Sequence, residues 1–371
     1  MSYRRQTEGK FSAGRNRPKR MAIPLVFLMD ALLVGAILLS FAFFHHVLPA
    51  ISNELERRQE QMTATEPVAT RPPETAAPET EPMAEETEPE ATEDVEETEP
   101  EVDNRTEWQI KFADRFTEEV VMTENSYTSP NISITIDTVQ YGSGDDIVAY
   151  HVADIYIGSM DCFTTYTANN EMRYFGTQDV MKMDAAAEAI LAISGDFLTY
   201  QKSGFLMRNR EIYVEDSNNN SLCALFEDGS MEVYDGKDYD IEDLKARGAV
   251  QVWSFGPKLL DDDGTVRDSY KISTAVSYTN PRSAIGYYEP GHYCFVVVDG
   301  RQKGYSMGMT IPELAAVFEE LGCTSAYNLD GGGSAVMLFN HDRFSQQSNG
   351  GDRNLGDILV IREPAVQEGE E

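Results

Sequence analysis

The chain has few cysteines, histidines and basic residues for its length. Its 371 residues include 4 cysteines, 5 histidines and 30 Lys or Arg residues against 63 Asp or Glu residues. The cysteines never have CxxC spacing, which argues against a zinc site or a thioredoxin-like motif, although an even number of cysteines permits disulfides in an exported domain. The net charge of −33 argues against nucleic acid as a partner, because a polyanion needs a basic face.

Long apolar runs are also scarce, and the sequence has one that is long enough to cross a bilayer. Residues 21–50 are apolar apart from a few positions such as Asp30, and a membrane helix needs about 20 residues. No small-x-small cleavage motif follows the run, so an uncleaved anchor is preferred over a signal peptide. Basic residues precede the run, in residues 1–20. The positive-inside rule therefore predicts a cytoplasmic N-terminal tail and an extracellular location for everything after residue 50.

Aromatic residues are absent from residues 51–104, where Thr, Glu and Pro dominate. This segment has 18 acidic residues against 3 basic ones, so it holds nearly half of the excess negative charge. Such a composition cannot bury enough apolar surface to fold and predicts an extended, disordered linker. A spacer is the simplest interpretation, and a partner-binding segment is the alternative.

From residue 105 to residue 363 the composition is that of a globular domain, followed by a short disordered tail at 364–371. Alternating or continuous apolar patterns predict several strands, and two amphipathic stretches predict helices. The predicted strands are 131–139, 147–157, 211–214, 294–299 and 358–361, and the predicted helices are 180–191 and 311–321. Strands outnumber helices, which indicates an α+β domain with a mixed, largely antiparallel sheet and a few packed helices.

Two short segments of this domain have residues suited to chemistry. Asp196 follows a glycine after a predicted helix and an apolar run, which places it on a loop, although a capping aspartate is the simpler interpretation. Arg282 follows Pro281, and its planar guanidinium suits a phosphate group, although a surface ion pair is the simpler interpretation.

A third segment contains three consecutive glycines, Gly331, Gly332 and Gly333, between Asp330 and Ser334. The run is neither a Walker A loop, because no GK[ST] ends it, nor a Rossmann GxGxxG motif. Glycine loses the most entropy on folding, so a run of three indicates close approach of the backbone to a ligand or a nest of N–H groups around an anion. A flexible turn is the less favoured alternative, because flanking apolar segments would hold the loop.

Six stretches, in order, resemble the phosphodiester glycosidase family. They are SGDF at 194–197, SFGPKLLDDDG at 254–264, NPRSAIG at 280–286, VVVDGRQKGYSMGMTIPELA at 296–315, YNLDGGGSAVM at 327–337 and GDRNLGDILVI at 351–361. Together they extend over roughly half of the chain. The family usually has an asparagine where this chain has Ser194, so the side-chain amide is lost at this position.

The resemblance implies hydrolysis of the bond between the anomeric carbon of a sugar and a phosphodiester oxygen. It points to Asp196 and Asp330 as the carboxylates near the anomeric carbon. It points to Arg282, with the amides of the three glycines and the hydroxyl of Ser334, as the groups that contact phosphate.

Three further residues are candidates for substrate binding. Asp299 would orient Arg282, hold a metal or close a turn, and Arg353 and Asp357 would bind substrate or form a structural ion pair. Clustered carboxylates suit a divalent cation such as Ca²⁺ or Mg²⁺, but the sequence does not say whether the activity needs one. Two alternatives to a phosphodiester glycosidase are another polysaccharide hydrolase or transferase on the same scaffold, and a non-catalytic glycan-binding surface protein.

Overall fold

The computed structural model describes residues 105–171, 174–348 and 353–365. The predicted cytoplasmic tail, membrane helix, linker and most of the C-terminal tail lie outside these residues. Within the described ranges, no helix is both long enough and apolar enough to cross a membrane.

The largest sheet, sheet I, has seven strands in the order β1-β2-β3-β4-β13-β12-β14. Its strands are β1 (Val121–Met122), β2 (Ser126–Thr128), β3 (Ile132–Tyr141), β4 (Val148–Ile157), β12 (Arg282–Glu289), β13 (His292–Val298) and β14 (Ser325–Asn328).

Two smaller sheets have five strands each. Sheet II has the order β10-β9-β11-β7-β8 and contains β7 (Phe205–Arg208), β8 (Glu211–Glu215), β9 (Ser221–Phe226), β10 (Met231–Tyr234) and β11 (Ala249–Phe255). Sheet III has the order β16-β15-β6-β17-β5 and contains β5 (Phe163–Thr167), β6 (Leu191–Ser194), β15 (Met337–Phe339), β16 (Asp342–Arg343) and β17 (Asp357–Ile361).

The described helices are short. They are α1 (Glu107–Lys111), α2 (Val180–Ala187), α3 (Ile241–Ala246), α4 (Thr274–Ser277) and α5 (Ile311–Glu320). The longest, α5, begins at the predicted cap: Thr310 accepts a hydrogen bond from the backbone of Glu313, whose side chain bonds back to Thr310. Pro312 lies in its first turn, and Gly322 follows its end with φ +78°.

The main core is formed where apolar side chains of the three sheets meet. Ile155 and Phe295 of sheet I, Trp253 of sheet II, and Ile193 and Leu359 of sheet III are all buried in one cluster. A second cluster lies between sheet I and α5, and a third lies between sheet III and α2. A fourth cluster lies between sheet II and α3. The strands therefore alternate between two faces, and a helix covers the outer face of each sheet.

One contact explains how α5 lies so close to sheet I. Gly286 of β12 has no side chain, and a Cβ atom there would lie 2.7 Å from Cys294 Sγ and 2.7 Å from the ring of Phe318. The missing side chain thus leaves room for the Phe318 ring on the sheet. Cys294 Sγ also lies 3.6 Å from Cys323 Sγ, and all four cysteines are free thiols.

The α+β class and the antiparallel pairing predicted from the sequence are confirmed, since every strand pair among the described residues is antiparallel. Two details differ from the prediction. The strands divide among three sheets where one was expected. The helix predicted to reach residue 191 ends at Ala187, because Glu188 takes a left-handed conformation with φ 53° and β6 begins at Leu191.

Candidate active site

The ends of strands from different sheets meet at one cavity of about 230 Å³. Strand β6 ends at Ser194, and its neighbour β17 begins at Asp357. Their antiparallel register places Ile358 opposite Ser194, so the two strand ends lie side by side. The residues that line the cavity include five predicted from the sequence to bind or react with substrate and two aromatic residues. They are Asp196, Asp330, Ser334, Arg353, Asp357, Phe197 and Tyr200.

Hydrogen bonds join the three segments that carry the carboxylates. The Ser194 hydroxyl donates to the carbonyl of Asp330 at 3.1 Å, and the amide of Asp330 donates to the carbonyl of Gly195 at 3.0 Å. The amide of Gly195 donates to the carbonyl of Asp357 at 3.1 Å. A Cβ atom on Gly195 would lie 2.3 Å from Asp357 Oδ1, so glycine is required here for close approach. Ser194 thus fixes the loop of Asp330 from the position where the family usually has asparagine.

Two of the carboxylates are paired inside the protein with Arg208, the last residue of β7. Arg208 Nη2 lies 2.9 Å from Asp196 Oδ1, and Arg208 Nε lies 2.8 Å from Asp357 Oδ2. All three side chains are fully buried, and the amide of Ser254 also donates to Asp196 at 3.3 Å. One guanidinium therefore joins sheets II and III beneath the cavity and holds both carboxylates in fixed positions.

The remaining carboxylate, that of Asp330, belongs to a residue that is partly exposed. Burial raises its pKa, against the opposing effects of a hydrogen bond from Ser334 and the positive charge of Arg353. The negative charge of Asp196 adds to the increase. Burial also raises the pKa of Asp357, to about 7, against the attraction of Arg208. Among the three carboxylates, Asp330 combines a raised pKa with access to solvent, which are the properties of a catalytic base or nucleophile.

The three glycines allow protein groups to approach the loop backbone. A Cβ atom on Gly331 would lie 2.6 Å from the carbonyl oxygen of Pro281. A Cβ atom on Gly332 would lie 2.9 Å from Arg301 Nη2, and one on Gly333 would lie 3.0 Å from Arg353 Nε. Two guanidinium groups therefore occupy the space that side chains at Gly332 and Gly333 would need.

One of the three glycine amides predicted to face an anion is used within the protein. The amide of Gly332 donates to the carbonyl of Pro281 at 2.8 Å, and the amide of the following Ser334 donates to the carbonyl of Gly331 at 3.1 Å. A contact between an anion and the amides of Gly331 and Gly333 stays a prediction. Positive charge at the loop comes from the side chains of Arg301 and Arg353, both of which are exposed.

The structure does not bring the guanidinium of Arg282 to the cavity. Its Nε donates to the carbonyl of Met309 at 2.9 Å, and its Nη2 donates to the carbonyls of Val276 and Tyr278 at 2.7 Å each. Burial, followed by the charge of Arg301, lowers the pKa of Arg282 to about 10. We therefore assign Arg282 to fixing the chain beneath the glycine loop, in place of the predicted contact with phosphate.

Asp299 also lies apart from the residues that line the cavity. It accepts hydrogen bonds from the Tyr305 hydroxyl at 2.8 Å and the Gln346 amide at 2.9 Å, and its Oδ2 lies 2.9 Å from His151 Nε2. The buried carboxylate thus joins β4 to two loops. Of the roles considered from the sequence, closing a turn agrees best with these contacts, and orienting Arg282 does not.

Sequence reasoning missed Arg208, Arg301 and Tyr200. The signal for Arg208 was an arginine directly after the apolar residues of β7, but Arg210 lies two positions later and nothing in the sequence distinguishes the buried residue from the exposed one. Arg301 was part of the DGR motif and was overlooked in favour of the aspartate. Among the described residues, no group of three or more His, Cys, Asp or Glu side chains is arranged to hold a metal ion.

Three comparisons with known proteins show what this chain is similar to. The family model of the phosphodiester glycosidases matches residues 187–362. A protein derived from the SPbeta prophage of Bacillus subtilis strain 168, YomE, is 29% identical over 202 residues, which are 52% of this chain and 31% of YomE. This chain thus spans about a third of the length of that curated relative.

A solved structure shows the same fold. It is the catalytic domain of zebrafish N-acetylglucosamine-1-phosphodiester alpha-N-acetylglucosaminidase, auto-inhibited by its pro-peptide, with a TM-score of 0.52 and 20% identity. The match covers 66% of this chain and 88% of the zebrafish domain. The family match includes all of the residues that line the cavity, so the part of the chain that forms the site, within residues 187–362, is similar to the phosphodiester glycosidase family.

Proposed function

We propose that this protein is a glycosidase that hydrolyses the bond between the anomeric carbon of a sugar and an oxygen of a phosphodiester. The observation that carries the proposal is the carboxylate of Asp330, which is partly exposed, has a raised pKa and lines a cavity together with Arg353. The family match supports the reaction type, and the activity named for the zebrafish relative supports a phosphodiester substrate.

In the proposed reaction, Asp330 removes a proton from water while the water oxygen bonds to the anomeric carbon. The bond from that carbon to the phosphodiester oxygen breaks, and the oxygen keeps the electron pair. A phosphate leaving group is a weak base, so it needs less protonation than an alcohol does. Asp330 as a nucleophile, followed by hydrolysis of a glycosyl-enzyme, is the retaining form of the same reaction.

The charge that develops on phosphate requires positive groups in fixed positions. Arg353 lines the cavity, and Arg301 lies against Gly332 of the same loop, so both are placed to receive a phosphate oxygen. Arg208 has a different role, because its charge is used by Asp196 and Asp357. Because both carboxylates are buried and paired, we propose that they and Arg208 position the loop of Asp330, and a direct catalytic role of Asp196 stays a prediction.

The role of Asp330 as base or nucleophile can be tested by substitution. Asp330→Asn should fold normally and lose turnover of a monosaccharide 1-(methyl phosphate) by at least about a hundredfold, because an amide cannot accept the proton from water. The assay measures free sugar and methyl phosphate by NMR, with and without a chelator, which also decides whether a divalent cation is required. Asp342→Asn, an exposed position on β16, is the control.

The result that would contradict the proposal is full turnover by Asp330→Asn. Release of sugar from plain glycosides, with no release from phosphodiesters, would instead favour another polysaccharide hydrolase on this scaffold. Tight glycan binding without turnover in the wild-type protein would favour a non-catalytic surface protein.

We further propose that the domain works outside the cytoplasm, attached to the membrane by the apolar run at residues 21–50. Support for this placement comes from the sequence: the run is preceded by basic residues and followed by an acidic, proline-rich segment. The linker at 51–104 would hold the domain away from the membrane surface, where a surface or exogenous glycan is accessible.

A further inference from the structure

Four large aromatic side chains are exposed next to the cavity, and they form a continuous row. Their exposed fractions are 39% for Phe197, 42% for Tyr200, 60% for Phe175 and 41% for Tyr174. We call them the aromatic row. Its first two members, Phe197 and Tyr200, line the cavity that contains Asp330.

Each ring of the aromatic row contacts the next. The rings of Phe197 and Tyr200 are stacked with centres 4.5 Å apart and an angle of 20° between their planes. The centres of Tyr200 and Phe175 lie 5.3 Å apart, and those of Phe175 and Tyr174 lie 4.1 Å apart. These two outer contacts are edge-on, with angles of 72° and 61° between the ring planes. The row therefore begins among the residues that line the cavity and continues beyond them.

The outer end of the row is held in place against the preference of its backbone. Phe175 has φ 58°, a left-handed conformation that bulky residues rarely adopt, and its amide donates to the carbonyl of Thr199 at 2.9 Å. Such a conformation is unfavourable for a bulky side chain and persists only where the surroundings hold it. Burial of the side chain does not offset this unfavourable conformation, since Phe175 is the most exposed of the four rings. An exposed, strained aromatic residue beside a cavity indicates a ligand contact.

We propose that the aromatic row stacks against the pyranose rings of a carbohydrate chain, so that the substrate is an oligosaccharide or polysaccharide that ends in a 1-phosphodiester. This inference rests on the proposed function. The faces of pyranose rings carry C–H groups that pack on the negative faces of aromatic rings, and the row begins where the reacting sugar would lie. A glycan is the one occupant that would be continuous with that sugar.

The experiment compares two substrates that differ only in length: a monosaccharide 1-(methyl phosphate) and a tetrasaccharide ending in the same group. The test variant is Phe175→Asn, because asparagine accepts a left-handed backbone and the variant should remain folded. Tyr174→Ala is a second variant at the outer end of the row. Tyr141→Ala, an exposed tyrosine at the end of β3, is the matched control.

The expected result is that the ratio of kcat/KM for the tetrasaccharide to kcat/KM for the monosaccharide falls about tenfold in Phe175→Asn and in Tyr174→Ala, a loss consistent with one aromatic contact. The control should keep the wild-type ratio. An unchanged ratio in both variants would overturn the proposal. A variant whose apparent mass on size-exclusion chromatography differs from that of the wild type would also overturn the proposal, because the row would then be a contact between copies of the chain.

A binding measurement separates this inference from the proposed reaction. If no phosphodiester is cleaved by the wild-type protein, calorimetry with neutral tetrasaccharides of defined linkage still tests the row. Weaker binding by Phe175→Asn than by Tyr141→Ala would support the inference while the reaction fails. Equal binding by the two variants would overturn the inference alone.

Discussion

Arg208 pairs with two carboxylates from different parts of the chain in a place that water does not reach. Replacing it leaves Asp196 and Asp357 buried without a counter-charge, and such losses cost about 3–5 kcal/mol. We expect Arg208→Met to lower the free energy of unfolding by about that amount, measured by urea denaturation. Arg210→Met is the matched control, because Arg210 pairs with Glu227 at the surface and is 54% exposed.

The control should lose at most about 1 kcal/mol. Equal losses in the two variants would mean that the buried pairs contribute no more than a surface pair does. Restoration of stability in Arg208→Met when both carboxylates are also changed to Asn would show that the loss comes from their charge.

The pKa of Asp357 links stability to pH. Burial raises it from 3.8 to about 7, so the folded protein binds a proton that the unfolded chain releases between these values. This contribution to stability is fully present below about pH 3.8 and is lost as the pH rises through about 7. Between these two pH values, the free energy of unfolding falls by up to about 1.4 kcal/mol per pH unit for one proton.

We therefore expect the wild-type protein to lose stability more steeply than Asp357→Asn between about pH 4 and pH 7, measured by thermal unfolding. Asp342→Asn should retain the wild-type slope. Parallel curves for the wild type and Asp357→Asn would show that Asp357 is already ionised throughout that range.

Single residues were predictable where a motif restricted them. Asp196, Asp330, Ser334, Arg353 and Asp357 do line one cavity, as their shared family motifs indicated. The orientation of Arg282 was not predictable, because the carbonyl groups of Val276 and Tyr278 and that of the more distant Met309 decide it together. The burial of an arginine depends on which distant carboxylates surround it, and residue types alone do not record that.

Among the elements, the packing of α5 on sheet I depends on the absence of a side chain. Gly286→Ala would place a methyl group against the ring of Phe318 and the sulfur of Cys294. Overpacking of this kind costs about 1–3 kcal/mol. We expect Gly286→Ala to lower the melting temperature and to leave the kcat of the folded fraction near the wild-type value.

Adding Phe318→Leu to Gly286→Ala should recover part of the lost stability, because the smaller side chain leaves space for the methyl group. A double variant whose two losses simply add would show that the helix and the sheet do not compete for this space.

Strands and helices were predictable where one face is buried. Alternation in β3 and β4 and the cap of α5 gave boundaries within a few residues of the structure. The division into three sheets was not predictable, because sheet membership depends on pairing between residues that are far apart in sequence. β17 pairs with β5, for example, almost 200 positions earlier.

At the scale of the whole molecule, the proposed anchor and the folded domain should be separable. We expect the full chain to sediment with membranes and to require detergent for release, since residues 21–50 would span the bilayer. A chain that starts at residue 105 should remain in the supernatant and keep its activity, because every cavity residue lies in the domain. Recovery of the full chain without detergent would contradict the proposed attachment.

Strand β17 is the last strand of the domain, yet it lies inside sheet III, between β5 and β6. Asp357, its first residue, completes the cavity. A polypeptide that emerges N-terminus first therefore exposes its other strands long before the final one arrives to close the gap. The proposed catalysis would therefore start only after the end of the domain has been delivered. If the domain is exported as proposed, a chain still in transit across the bilayer would be inert toward the cell's own glycans.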